Sequence, residues 1–296
     1  MTQNLLVTGA SGHLGRRVIE LLLEADVDHI IATTRSPEKL AKLADQGVEV
    51  RQADFEQPDS LAEAFTGADR LLLISTDAVD GTDRRLKQHL NAVNAAEQAD
   101  VKHVIYTSLT RTEPGTPILL APDHYGTEQA LAASSLDWTM LRNNVYMDML
   151  LMSLPQAIAT GQLFAAAGDG GVGYVTREDC ARTAAAVLKA TTGGRTTLDI
   201  TGPEVVTYTA LAQIASDITG RPVTYIDVSA QEIVKGMVAA GFPEPVAELL
   251  VSFQTATAQG YLAVATDTVA ELTGSAPQSV RDFLLAHKDA LLAPPA

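Results

Sequence analysis

The segment Leu5-Leu6-Val7-Thr8-Gly9-Ala10-Ser11-Gly12-His13-Leu14-Gly15 constrains the fold of this chain more than any other. Its short apolar run, residues 5–7, has the length and flanks of a buried strand. An amphipathic stretch over 14–24 follows, with Leu14, Val18, Leu21 and Leu22 on one face of a helix. Glycines stand between the two at 9, 12 and 15. Gly9 permits a sharp turn. Gly12 lets the backbone approach a ligand without a Cβ in the way, and Gly15 lets the helix lie close on the strand. The helix then turns free N–H groups and its positive dipole end toward the turn, which favours phosphate. A second apolar run follows at 29–34. Strand, glycine turn, helix and strand together predict a doubly wound α/β domain that binds a dinucleotide, with Thr8, Gly9, Ser11, Gly12, His13, Leu14 and Gly15 around the turn.

The ends of the following strands carry the remaining candidates, because ligands of such sheets lie at the carboxyl ends of the strands. Strand 29–34 ends in Thr33-Thr34-Arg35-Ser36, where a site for NAD would place Asp or Glu against the ribose hydroxyls. Arg35 there favours a 2′-phosphate through a charge-assisted contact, with Lys39 one turn on and Arg16 and Arg17 nearby. The reading is therefore NADP(H). Ser36-Pro37 reads as a helix start, with the helix running to 45 before Gly47. Strand 48–53 leads to Asp54 and Phe55. Asp54 is placed to accept from the adenine amine or to cap a turn, and Phe55 to pack on the ring. Asp59-Ser60 reads as the cap of the next helix. Strand 70–74 leads to Ser75 and Thr76, and strand 103–106 to Thr107 and Ser108. These four hydroxyls are expected near the nicotinamide half. The polar loop 77–83 would border the cleft, and the basic face of helix 84–99 (Arg84, Arg85, Lys87) reads as solvated.

After strand 138–141 and Arg142-Asn143-Asn144-Val145-Tyr146 the β–α alternation weakens. The expected division is a dinucleotide-binding domain over 1–150, which also receives roughly 176–202, and a smaller α/β lobe over 151–175 and 203–296. Helix starts are legible at Thr176, Thr207 and Ser229, the first and last with capping-box spacing. The end, 293–296, reads as frayed. With 36 acidic and 21 basic residues and a net charge of −15, the chain is a poor partner for nucleic acid or an anionic membrane. It has one cysteine, Cys180, in a helical stretch where it reads as packed. No internal disulfide is possible, and a reducing, cytoplasmic setting is expected. The histidines show no ligand-like spacing, so no metal site is expected.

Tyr125 and Gln129 stand four apart, the spacing at which a dehydrogenase tyrosine and lysine share one helix face. Ser108, at the end of its strand, would polarise a carbonyl beside Tyr125. Gln129 can still bond a ribose hydroxyl, but it carries no charge to stabilise a phenolate. Ordinary alcohol oxidation is therefore disfavoured. A reaction needing only hydride transfer suits the motif better. Quinones accept hydride with aromatisation, and cationic triarylmethane dyes accept it by quenching a carbocation.

The G-x-x-G-x-x-G spacing is that of extended and atypical short-chain dehydrogenases. With Val7–Gly15 the chain carries Arg35-Ser36-Pro37-Glu38-Lys39, Leu43-Ala44-Asp45-Gln46-Gly47-Val48-Glu49-Val50-Arg51, Ala53-Asp54-Phe55, Leu71-Leu72-Leu73-Ile74-Ser75, Val101-Lys102-His103, Tyr106-Thr107-Ser108-Leu109 and Leu141-Arg142-Asn143. On these runs it resembles the NmrA-like atypical short-chain dehydrogenases over nearly its whole length. Within them it resembles the bacterial NAD(P)H:quinone oxidoreductase type 2 and triphenylmethane reductase group. The resemblance implies a Rossmann domain, NADPH as cofactor and a small-molecule electron acceptor. By position it assigns Gly9, Ser11, Gly12, His13, Leu14, Arg35, Ser75, Thr107 and Asn143 to the cofactor, with Asn144, Tyr146 and Tyr174 as candidates on the substrate side. The chain departs from the familiar quinone-reductase pattern at Tyr125, Gln129 and Asn144. The expected activity is hydride transfer from NADPH to a quinone-like or dye-like acceptor. The alternatives are a non-catalytic NADP(H)-sensing regulator, as some NmrA-like proteins are, and a carbonyl or imine reductase in which Tyr125 donates a proton. A homo-oligomer is compatible with this reading.

Overall fold

The computed structural model describes residues 3–293, so the last three residues of the end read as frayed lie outside it. In chain order the strands are β1 (Leu5–Val7), β2 (Ile30–Thr34), β3 (Glu49–Gln52), β4 (Arg70–Leu73), β5 (His103–Leu109), β6 (Asp137–Asn143), β7 (Gln162–Ala165), β8 (Gly171–Val172), β9 (Arg195–Ile200), β10 (Val206–Thr207) and β11 (Thr224–Asp227). Seven of them form one sheet in the order β3-β2-β1-β4-β5-β6-β9. β1 runs parallel to both β2 and β4, with Leu6 opposite Ile31 on one side and Leu71 on the other. β2–β3 and β4–β5 are parallel as well. The order reverses between β1 and β4, which makes their carboxyl ends the topological switch point of a doubly wound fold. Both strands are buried throughout, as the Leu/Val runs 5–7 and 71–73 in a parallel sheet must be.

Helices α1 (His13–Glu24), α2 (Ala41–Ala44), α3 (Pro58–Phe65), α4 (Arg84–Gln98), α5 (Ala121–Ala133), α6 (Leu150–Thr160) and α7 (Arg177–Lys189) alternate with the strands, followed by α8 (Tyr208–Thr219), α9 (Ala230–Ala239) and α10 (Glu244–Ala258). One contiguous core joins Leu6 and Ile31 to Leu61 and Phe65 of α3, Val93 of α4, Val104 and Tyr106 of β5, and Leu131 of α5. Its counterpart in stability is an arginine. Arg70 opens β4 and is 4% exposed. Its Nε donates to Leu188 O at 3.0 Å, Nη1 to Thr192 O at 3.1 Å and Nη2 to Val187 O at 3.0 Å. Those carbonyls belong to the last turn of α7 and the chain just beyond it, where only Val187 O of the three also takes a backbone N–H, that of Ala190 at 3.2 Å. A fixed cation there satisfies them and opposes the negative dipole end.

The chain divides into two compact units. One comprises Met1–Leu109, Asp123–Arg142 and Cys180–Leu198; the other comprises Thr110–Pro122, Asn143–Asp179 and Asp199–Ala296. The second is no smaller than the first, contrary to the expectation of a minor lobe, because it gains 110–122 and begins at 143. Segment 110–122 is tied there by Leu119 N donating to Ser252 Oγ at 3.2 Å and Tyr261 OH donating to Gly115 O at 3.0 Å. Within the second unit β7 pairs parallel with β11, and β8 antiparallel with β10. Its caps are those read from the sequence. Thr207 accepts from Ala210 N, Gly220 closes α8 with φ 71°, and Ser229 and Glu232 form a reciprocal capping box.

Three local expectations are corrected. Ser36 makes no cap, and Pro37–Leu40 forms a 3₁₀ turn leading into the single turn α2. α3 starts at Pro58 rather than at an Asp59-Ser60 cap, since Ser60 Oγ turns back to Gln57 O at 2.8 Å and Pro58 presets the first helical φ. The basic face of α4 is not simply solvated, because Arg85 is 5% exposed.

Replacing Arg70 by Met keeps the bulk and removes a donor from all three carbonyls, leaving those of Leu188 and Thr192 without that partner, while Val187 O keeps Ala190 N. The expected cost is roughly 2–4 kcal/mol of stability, read as a lowered denaturant midpoint. An unchanged midpoint would show that water takes over the capping.

Candidate functional site

A cavity of about 280 Å³ opens at the carboxyl ends of β1, β2, β3 and β4. Its wall is formed in turn by Gly9, Ser11 and Gly12, then Thr33 to Ser36 with Lys39, then Ala53 to Phe55, then Ile74 to Asp77, and by Gln88 of α4. Gly9 turns the chain at φ 60°. A Cβ on Gly15 would stand 2.5 Å from Gly9 O, so only glycine lets α1 approach the turn this closely. Gly12 precedes α1 without a side-chain cap, and the first turn of α1 holds no acidic residue. Its N–H groups are therefore left to a ligand, and a helix N-terminus of this kind takes an anion. Where β2 ends, Arg35 and Lys39 are exposed. Among the described residues neither side chain has a hydrogen-bond or ion-pair partner. Two uncompensated cations on a chain of net charge −15 mark a second anionic group. The cavity thus fits NADP(H), with one end for the diphosphate and another for the 2′-phosphate.

Of the residues read from the sequence, Gly9, Ser11, Gly12, Arg35, Lys39, Asp54, Phe55, Ser75 and Thr76 meet at this cavity. Others hold its wall from behind and do not line it. Thr8 is buried, with Oγ1 donating to Leu72 O at 3.1 Å and accepting from Ile74 N at 2.9 Å, which ties the ends of β1 and β4 together. Thr107 Oγ1 accepts from Ser75 N at 2.9 Å and braces β4 against β5 in the same way. Gly15 is a packing residue, while His13 and Leu14 lie in the first turn of α1 outside the cavity wall. Asp54 closes its own turn, Oδ1 accepting from Glu56 N at 3.0 Å.

Ser108 requires a correction. Its Oγ donates to Glu128 Oε1 at 2.6 Å, and Glu128, 3% exposed, receives Arg142 Nη2 at 2.6 Å and Nε at 2.9 Å. A carboxylate paired with arginine only accepts, so the serine proton points at Glu128. Ser108 has only lone pairs left to offer and cannot polarise a carbonyl by donation. On α5, Tyr125 is half-buried and Gln129 is exposed, neither among the residues lining the cavity.

Behind Ser75-Thr76 lies a polar network that the sequence reading missed. His89 Nε2 accepts from Thr76 N at 3.0 Å, which places the ring proton on Nδ1, directed at Thr127 Oγ1 at 2.9 Å. Thr127 Oγ1 donates onward to Asp123 O at 2.7 Å. His124 Nε2 accepts from Arg85 Nη2 at 3.2 Å, so its Nδ1 proton faces Tyr106 OH at 2.8 Å. Arg85 also donates to Thr76 O. Both tautomers are thus fixed by groups that only donate. Burial, with the Arg85 charge, pushes His89 down to about 3 and His124 well below the ordinary value. Burial likewise pushes Tyr106 above its usual range. The network braces the cavity wall with both histidines neutral and its charge on Arg85. The signal in the sequence was a helix pair, Arg85 and His89, on a face taken to be solvated. Gln88 was missed for the same reason.

In the second unit, two substrate-side candidates are consumed by packing. Asn144 is 2% exposed, its Nδ2 donating to Leu262 O at 3.1 Å and its Oδ1 accepting from Val145 N at 2.8 Å. Tyr174 is 3% exposed and hydrogen-bonded to Tyr208. Tyr146 is half-buried, its OH accepting from Asn143 Nδ2 at 3.2 Å with the Arg177 guanidinium 5.3 Å from the ring centroid. Asn143 itself is buried.

A switch-point cavity with an anion-binding turn and a second cationic corner defines a dinucleotide-binding α/β protein. The chain belongs to the family described as NAD(P)H-binding, which matches residues 9–191. It is 36% identical over 269 residues to quinone oxidoreductase 2 of Escherichia coli, covering 90% of this chain and 93% of that one. The crystal structure of an NADPH-dependent quinone oxidoreductase from Escherichia coli, complexed with NADPH, superposes with a TM-score of 0.90 at 34% identity, covering 96% of this chain and 99% of that one. Triphenylmethane reductase of Citrobacter sp., complexed with NADP(H), gives a TM-score of 0.88 at 37% identity, over 96% and 99%. The resemblance read from the sequence is borne out, and the cofactor is NAD(P)H.

The depressed histidines set a pH dependence. Burial, the largest cause, also lowers His103 to about 4. Unfolded histidines bind protons near pH 6.5, whereas these folded ones stay neutral until far lower. Stability is therefore greatest above about pH 6.5 and falls as pH drops toward about 4. Thermal midpoints at pH 7 and pH 5 check this. His89→Gln should flatten the slope, and a midpoint level across that window would contradict the assignment.

Proposed function

We propose that the chain is an NADPH-dependent reductase that passes hydride to a quinone-like or dye-like conjugated acceptor. The observation that carries the cofactor half is the unpaired Arg35 and Lys39 at the end of β2, where a chain built for NAD would carry a carboxylate. On this reading Ser11 and Gly12 hold the diphosphate, and Arg35, Ser36 and Lys39 hold the 2′-phosphate.

The acceptor half rests on what the proton-transfer machinery lacks. Gln129 supplies no charge to a Tyr125 phenolate, and the Ser108 proton is directed at Glu128. NADPH, when bound, supplies the hydride. The chain's own residues position the cofactor and hold the strand-end wall rigid. Such a site serves an acceptor whose reduced form is stabilised by delocalisation or by quenching of a cation. This agrees with the quinone and triphenylmethane activities named for the two similar proteins. Among the described residues no helix is long and apolar enough to cross a membrane. The buried single cysteine fits a reducing, cytoplasmic setting.

The test follows the NADPH absorbance band of the purified protein with a panel of quinones and a triarylmethane dye, repeated with NADH. Turnover with at least one acceptor and a preference for NADPH is expected. Tight binding with no oxidation by any acceptor would replace the reductase reading with that of a cofactor sensor. Arg35→Ala should weaken NADPH binding roughly 10- to 100-fold and leave NADH nearly unchanged. Equal losses for both would remove its selector role. Tyr125→Phe should change kcat with quinones by less than about 3-fold. A fall of about 10²-fold would make Tyr125 a proton donor and the chain a carbonyl reductase.

A further inference from the structure

Thr34 is the last residue of β2, and the sheet holds its backbone, with Ala53 N donating to its carbonyl at 3.0 Å. The side chain is β-branched and 6% exposed, so its hydroxyl has a fixed origin. Two polar groups meet that hydroxyl. Ser36 N donates to Oγ1 at 3.2 Å, and Oγ1 donates to Ser11 Oγ at 3.2 Å. An amide N–H only donates, so Thr34 receives a hydrogen from Ser36 and passes its own to Ser11. Ser11 Oγ accepts from Thr34 and keeps its proton for another partner. Among the described residues no acceptor takes that proton, and Ser11 is an exposed residue of the cavity wall. Amide, threonine and serine thus form a run in one direction, in which each bond polarises the next. The run ends in a hydroxyl donor beside Gly12 and the uncapped start of α1. A donor in that place is completed by an anionic oxygen.

We propose that Thr34 is a positioning residue for the cofactor: held by Ser36 N, its hydroxyl sets the Ser11 hydroxyl as a donor to a phosphate oxygen of the bound dinucleotide. The inference rests on the NADP(H) assignment and adds to it a residue that acts through another. Without the Thr34 hydroxyl, Ser11 turns among several orientations, and fixing one of them on binding costs part of what the new hydrogen bond contributes. Thr34 also joins two parts of the anion site, because Ser11 stands in the glycine turn and Ser36 stands beside Arg35 at the end of β2. The course of residues 36–39 has other supports. Lys39 N donates to Ser36 O at 3.1 Å, and Arg16 Nη2, on α1, donates to Lys39 O at 3.2 Å. Valine has the shape of threonine and suits a strand, so its loss falls on the hydroxyl run and not on the path of the chain.

The experiment measures dissociation constants for NADPH and NADH by nicotinamide fluorescence. The proteins are the unaltered chain, Thr34→Val, Thr34→Ser, Ser11→Ala and the double variant Ser11→Ala with Thr34→Val. Ser11→Ala should weaken NADPH about 10-fold and Thr34→Val about 5-fold. The double variant should lose no more than about 10-fold, against about 50-fold for two independent sites. Thr34→Ser restores the hydroxyl and should bind within about 2-fold of the unaltered protein. A residue that only supported the strand would cost the same with Ser11 present or absent, so the cycle separates the two roles. NADH lacks the 2′-phosphate and thereby names the accepting oxygen. A loss shared by both cofactors puts the Ser11 proton on the diphosphate, and a loss confined to NADPH puts it on the 2′-phosphate. The proposal is overturned if Thr34→Val binds NADPH as the unaltered protein does, if the two losses multiply, or if Thr34→Ser is as weak as Thr34→Val. Failure of the unaltered protein to bind NADPH would overturn the cofactor assignment and this inference together.

Discussion

The contact on which the rest of the site depends is the approach of α1 to the turn at Gly9. A Cβ at position 15 would come within 2.5 Å of Gly9 O, closer than any side chain can stand. That closeness brings the uncapped first turn of α1 to the end of β1, next to the point where the sheet order reverses. The reversal opens the crevice, and the helix end supplies its anion site. Neither suffices alone. A crevice without donors would hold phosphate no better than water does, and a helix end away from the switch point would have no cavity in front of it.

Around this centre, hydroxyl groups at the strand ends do structural work one layer behind the ligand surface. Thr8 and Thr107 spend their hydrogen bonds on the backbone of residues 72–75, and His89 takes Thr76 N. The consequence is a wall whose strand-end backbone groups at 72–76 are bonded from behind by side chains. Both histidines behind the wall are neutral because each has one nitrogen facing a donor, an amide in one case and a guanidinium in the other. The charge behind the wall is that of Arg85, and a second cation on either histidine would stand beside it in a low-dielectric interior.

This arrangement explains which parts of the molecule were legible in its sequence. The strand–glycine–helix unit, Arg35, and the caps at Thr207 and Ser229 are local. Each acts through residues within a few positions, so spacing alone identifies them. Thr8 follows β1 as read, while Thr107 and Ser108 lie inside β5, which runs on to Leu109, and the direction in which each hydroxyl points is decided by Leu72, Ser75 and Glu128 on other elements. Sequence order carries no information about those partners. The burial of Asn144 and Tyr174 was hidden for the same reason, since Leu262 and Tyr208 reach them from distant parts of the chain. Arg85 and Gln88 were invisible for a different reason. They sit on a helix face with the charge pattern of a solvated surface, and only the fold turns that face onto the cavity wall.

The buried Ser108–Glu128–Arg142 group gives the chemistry its character. Removing two charges from water is costly, and Glu128 is almost fully buried, so the pair persists only because every donor around it is engaged. Ser108 is one of those donors. Freeing its proton for a substrate carbonyl would leave a carboxylate oxygen short of a hydrogen bond in a low-dielectric interior. The stability of the core and the usual catalytic role of a strand-end serine are thus in conflict, and the core prevails. With that serine unable to donate and no lysine beside Tyr125, polarisation of an ordinary ketone has no source in these residues. On the proposed reading the activation comes from the acceptor's own electronic structure, which is the property that quinones and cationic dyes share.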